Sequence, residues 1–65
     1  MDKDINKHFD EFAGKLKVYI DHNIRMANNY LGGNYSKDLL ESDMEFSLET
    51  AKNIIDIISK IEELL

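Results

Sequence analysis

The sequence predicts an all-α protein: an antiparallel hairpin of two long helices that associates into a helical bundle. Three observations carry this. Apolar residues recur every three or four positions through almost the whole chain of 65 residues, which is the helical period. Proline is absent and glycine is confined to Gly14, Gly32 and Gly33, so the only strong interruption is the central glycine pair. The apolar stripe of the second half is also too wide for one helix–helix seam.

The first helix is expected over about residues 3–31. Ile5, Phe9, Phe12, Leu16, Tyr19, Ile20, Ile24, Ala27, Tyr30 and Leu31 mark its apolar arc, roughly 160° wide. Asp2 and Asp4 stand at its start, where acidic groups cap free N–H groups and meet the positive end of the dipole. Glu11 with Lys15 and Asp21 with Arg25 are acid-before-base pairs one turn apart. Gly32 is the expected left-handed cap, and residues 32–36 form the loop.

The second helix is expected over about residues 37–64. Ser36 or Asp38 is placed to cap it. Ser42-Asp43-Met44-Glu45 reads as a competing capping box, so a break near Ser42 is the alternative to one continuous helix. A loop this short makes the two helices antiparallel neighbours.

From Leu39 to Leu65 the apolar residues cover roughly 200° of the second helix, where about 100° suffices for one neighbour. Leu40, Met44, Ala51, Ile54, Ile58, Ile61 and Leu65 are assigned to the seam with the first helix. Leu39, Phe46, Ile57 and Leu64 are assigned to a partner, most simply a second copy closing a four-helix bundle. Asn23 lies near the middle of the first helix's apolar arc. A polar residue there costs stability but fixes register and oligomer state.

Size points the same way. A chain of 65 residues builds only a marginal core, and such chains add disulfides, a metal or oligomerisation. There is no cysteine, so disulfides and thiolate metal sites are excluded. His8 and His22 stand about 21 Å apart along one helix, too far to share an ion. Asp4 and His8 are one turn apart, a spacing more often occupied by a solvated pair than by a metal. No cofactor is expected.

The sequence holds no glycine-rich phosphate loop, no His-Glu-x-x-His and no nucleophile elbow, so an enzyme is not expected. Net charge is −5, from 13 acidic and 8 basic residues, which disfavours nucleic acid as a partner. The N-terminus has no signal-type apolar run, and no stretch approaches the ~20 apolar residues of a membrane span. The chain therefore reads as cytoplasmic, and the Asn34-Tyr35-Ser36 sequon has no consequence there.

The functional expectation is a small non-enzymatic regulator or inhibitor that binds protein. Asp38, Glu41, Glu45, Glu49 and Asp56, with Glu63, form an outward acidic ridge suited to a basic partner surface. A second expectation is an oligomer sequestering a nucleotide-like ligand near the loop, through Arg25, Tyr30, Asn34, Tyr35 and Lys37. A third is a structural self-assembly module. The layout is similar to that of small plasmid regulators, phage-encoded inhibitors of host defence and bacteriocin accessory proteins. That likeness is architectural and assigns no function.

Overall fold

The computed structural model describes residues 3–65, so the capping role expected of Asp2 lies outside the described residues. Two helices, α1 (Lys3–Leu31) and α2 (Lys37–Leu64), form an antiparallel hairpin 46 Å long and 15 by 12 Å in section. That length is what 29 helical residues at 1.5 Å each require, so both helices run the full hairpin.

The turn is built by backbone groups. Asn34 N–H donates to the Asn29 carbonyl at 2.9 Å, and Gly33 N–H to the Tyr30 carbonyl at 3.1 Å. These are the two bonds of a Schellman motif, which requires a left-handed residue just before its last donor. Gly33 fills that position with φ of +73°. The left-handed cap is thus Gly33 and not Gly32, one residue later than the sequence suggests. Gly32 still accepts no side chain freely: a Cβ there would meet Asn34 Nδ2 at 3.1 Å and the Asn28 carbonyl at 3.3 Å.

Ser36 caps α2. It has extended backbone geometry, and its hydroxyl accepts from Leu39 N–H at 3.2 Å. The helix then continues through Ser42 without interruption, so the second capping box is not used. Capping at Ser36 satisfies the helix start and leaves Asp43 free to face α1.

The seam of α2 follows a strict heptad: Leu40, Asp43, Ser47, Thr50, Ile54, Ile57 and Ile61 are its buried or half-buried residues, with Ala51 beside them. Against them α1 places Ile5, His8, Phe12, Leu16, Tyr19, His22, Asn23 and Met26. Alternating steps of three and four residues are the knobs-into-holes pattern.

This seam is turned relative to the expected one. Ile57 was expected to face a partner, yet it is only 3% exposed and belongs to the seam. Met44 and Ile58 were expected in the seam, yet they stand 55% and 45% exposed. The cause is polar: Asp43, Ser47 and Thr50 occupy seam positions that apolarity cannot mark. Thr50 satisfies its buried hydroxyl by donating to the Phe46 carbonyl one turn back, at 2.9 Å.

Candidate functional site: an apolar flank and a polar flank

Rotating about each helix from the seam, most of the outward apolar residues fall on one side, while Val18, Leu39, Phe46 and Leu64 are exposed on the other. On α2 and its C-cap they are Met44, Leu48, Ile55, Ile58 and Leu65, at heptad steps and all exposed. On α1 they are Phe9, Ala13, Ile20, Ile24, Ala27 and Leu31, also exposed, with half-buried Leu16 among them. Each row lies about 90–100° from its own seam in the same rotational sense, at 100° per residue. In an antiparallel pair that places both rows on the same flank. Phe9, Phe12, Ile58 and Ile61 accordingly line one shared groove of about 160 Å³. The Phe9 and Phe12 rings meet edge to face there, with centroids 6.0 Å apart.

The opposite flank is polar. Glu11, Lys15, Asn53, Asp56 and Lys60 line a cleft between the helices there, with Ile57 at its floor. Towards the turn, His22, Arg25, Met26, Asn29, Tyr35 and Asp43 line a second cleft of about 200 Å³. Tyr35 hydroxyl donates to Asp43 Oδ2 at 2.5 Å, and His22 Nε2 lies 2.9 Å from the Asp43 backbone carbonyl. Because that carbonyl only accepts, Nε2 carries the hydrogen. The His22 ring packs on Phe46 with centroids 4.6 Å apart. Partial burial, and next the bond to Asp43, push the Tyr35 phenol above its ordinary pKa; a bond from Asn29 offsets part of this.

The sequence-predicted residues divide between these surfaces. Leu39, Phe46 and Leu64 are exposed along the polar-flank edge of α2, while Ile57 is buried. The richest outward apolar surface is therefore not the row assigned to a partner but the flank opposite it. Asn23 is half-buried at the seam's border with the apolar flank. Its Nδ2 donates to the Tyr19 carbonyl at 2.6 Å, and its Oδ1 accepts from the Ser47 hydroxyl at 2.8 Å. Asn23 thus bonds within the chain.

Asp38, Glu41, Glu45, Glu49 and Asp56 are all exposed; the first four lie on the side of α2 that faces away from α1, and Asp56 lines the polar-flank cleft between the helices. Of the expected ligand group, Arg25 and Tyr35 come together in the cleft near the turn. Tyr30, Asn34 and Lys37 are exposed outside it. His22, Asn29 and Asp43 were missed as partners of Arg25 and Tyr35. Their signal in the sequence was the seam heptad, which turns Asp43 towards α1, where the His22 ring reaches its main-chain carbonyl.

Among the described residues, no helix is long and apolar enough to cross a membrane. No group of three or more His, Cys, Asp or Glu side chains comes together in a metal-binding arrangement among them. No family model matches the chain, and the searches of curated proteins and of solved structures return no match.

Proposed function

We propose that this chain is a non-enzymatic regulator or inhibitor that works by protein binding, with the apolar flank as its adhesive surface. The observation that carries the reading is the flank itself. One side of the hairpin presents large apolar residues from end to end, while none of the described side chains is completely enclosed within the monomer. A long contiguous apolar patch on a small protein marks an interface. With that flank buried in a helical bundle, Glu49 and Asp56 of the acidic ridge stay outward while Asp38, Glu41 and Glu45 stand at the flank's border, and the ridge is offered to a basic protein partner in the cytoplasm.

The test is affinity capture from the source cell at two salt concentrations. The baits are the parent chain, the triple variant Glu41→Lys with Glu45→Lys and Glu49→Lys, and the flank variant Ile55→Glu. A regulator of this kind retains a partner that the ridge variant loses and that weakens as salt rises. Identical captured sets for all three baits overturn the reading.

The cleft near the turn favours a second reading, an oligomer that sequesters a small nucleotide-like ligand, because it joins the Arg25 cation with His22, Asn29 and Tyr35, the Asp43 carboxylate there being held by the Tyr35 hydroxyl. A ligand that binds only the folded state raises the melting temperature. A nucleotide panel that leaves Tm unchanged at saturating concentrations removes this reading.

A further inference from the structure

We infer that the apolar flank is covered by a second copy of this chain, related by a two-fold axis parallel to the helices, so that α1 of each copy lies against α2 of the other. This deepens the protein-binding reading above and rests on it.

Area supports a copy as the occupant. The flank is 46 Å long and up to 15 Å wide, which gives roughly 700 Å² in plan, close to the about 800 Å² per partner of a standard stable interface. The two-fold makes the flank its own complement, as a closed dimer requires. The result is a four-helix bundle whose inner layer is formed by both seams and both flanks.

Two observations select the arrangement. The first is charge. Charged residues on or bordering the flank on α2 are Lys37, Asp38, Glu41, Glu45, Lys52 and Glu62, four acidic against two basic. Those bordering it on α1 are Lys3, Asp10 and Lys17, one acidic against two basic. Setting α2 against its own copy brings the acidic border onto itself, with Glu41 near Glu62 of the other chain. Setting α2 against α1 meets the acidic border with the more basic one. The second is size. The hairpin register, read from Asn23 beside Ser47 and Phe12 beside Ile58 and Ile61, puts Ala13 level with Ile58. It likewise puts Ile20 level with Ala51, and Ala27 level with Met44. A parallel two-fold keeps these levels across the interface, so each alanine faces a large residue and the layers interlock.

Both loops then lie at one end of the bundle. The clefts of the polar flanks remain on its outer sides, open to solvent.

The experiment combines light scattering over a concentration series with a spin-label distance. The sequence has no cysteine, so Asn34→Cys supplies a single labelling site in the loop. The expected result is a mass twice the 7.6 kDa of the chain and a label-to-label distance below about 25 Å, since helices 8–10 Å apart put the two loop backbones on the order of 10–15 Å from one another. Ile55→Glu is expected to raise the dissociation constant at least about tenfold, and Leu39→Glu, on the other edge, to leave it unchanged. Far-UV circular dichroism confirms that each variant remains helical, and Ile55→Ala supplies a milder flank change if the glutamate variant unfolds.

A dimer whose loops lie near the full 46 Å apart overturns the arrangement. A helical monomer at every concentration overturns the second copy. The protein-binding reading fails separately, when Ile55→Glu and the ridge variant capture the same proteins as the parent.

Discussion

The Ser47 hydroxyl donates to Asn23 Oδ1 across the hairpin at 2.8 Å, while Asn23 Nδ2 donates to the Tyr19 carbonyl at 2.6 Å. One side chain thus ties α2 to the backbone of α1 at a single level. Sliding the helices by a heptad step breaks this tie, which makes it a register pin. Ser47→Ala leaves Asn23 Oδ1 without this donor at a half-buried site and is expected to cost about 1 kcal/mol. The double change Asn23→Leu with Ser47→Ala removes both polar groups and is expected to be neutral or stabilising. Thermal unfolding of the four-variant cycle at one fixed protein concentration checks this. A stability loss in the double variant equal to the sum of the single losses contradicts it.

Gly33 and Gly14 are expected to respond in opposite ways. Gly33 sits at φ +73°, where a Cβ is strained, so Gly33→Ala costs roughly 1 kcal/mol and Gly33→Asn less. Gly14 lies inside α1 with open space around its missing Cβ, so Gly14→Ala stabilises by roughly 0.5–1 kcal/mol. Denaturant midpoints of the three variants should order Gly14→Ala above the parent and Gly33→Ala lowest.

Ser36→Ala removes the acceptor for Leu39 N–H and is expected to cost about 1 kcal/mol. Ser42→Ala, at an exposed position inside α2, is expected to cost almost nothing. Amide exchange at the first turn of α2 distinguishes the two. Faster exchange in Ser42→Ala than in Ser36→Ala would place the helix start at the wrong serine.

The Tyr35 phenol titrates higher in the folded chain than in the unfolded one, whose ordinary value is near 10. The neutral phenol is the form that donates to Asp43, so the fold binds this proton more tightly than the unfolded chain does. Its contribution is fully present below pH 10 and is lost as pH rises through the higher folded value. Ultraviolet difference titration of the parent against Tyr35→Phe isolates this phenol from Tyr19 and Tyr30. A Tyr35 component titrating at or below the ordinary value contradicts the hydrogen bond to Asp43.

The fold was legible in the sequence because its signals are local. The 3.6-residue period, the lack of proline and the glycine pair each act over a few residues, and together they determine two helices and one tight turn. The seam was less legible for a physical reason. Hydrophobic periodicity reports the mean direction of apolar surface, and here two apolar faces adjoin, one inside the hairpin and one outside it. Their average points between them, so Met44 and Ile58 read as seam and Ile57 as surface. What sets the true phase is polar: Ser47 and Thr50 enter the seam because Asn23 and the helix backbone accept from their hydroxyls, and Asp43 because Tyr35 donates to its carboxylate and His22 to its main-chain carbonyl. His22 and Asn23 lie 21 and 24 residues away from Asp43 and Ser47, beyond any local pattern. The cleft near the turn was half legible for the same reason. Arg25 and Tyr35 stand out as a cation and an aromatic near the loop, whereas Asp43 joins them only through the hairpin register.

Sedimentation velocity of the parent beside Leu48→Glu and Leu39→Glu tests most directly that the apolar flank, and not the opposite edge, is the adhesive surface. Both residues are exposed leucines on α2, 57% and 47% respectively, so neither change disturbs the seam. The account predicts a dimeric parent, a helical monomer for Leu48→Glu and a dimer for Leu39→Glu. A dimer that survives Leu48→Glu and is lost with Leu39→Glu would contradict it.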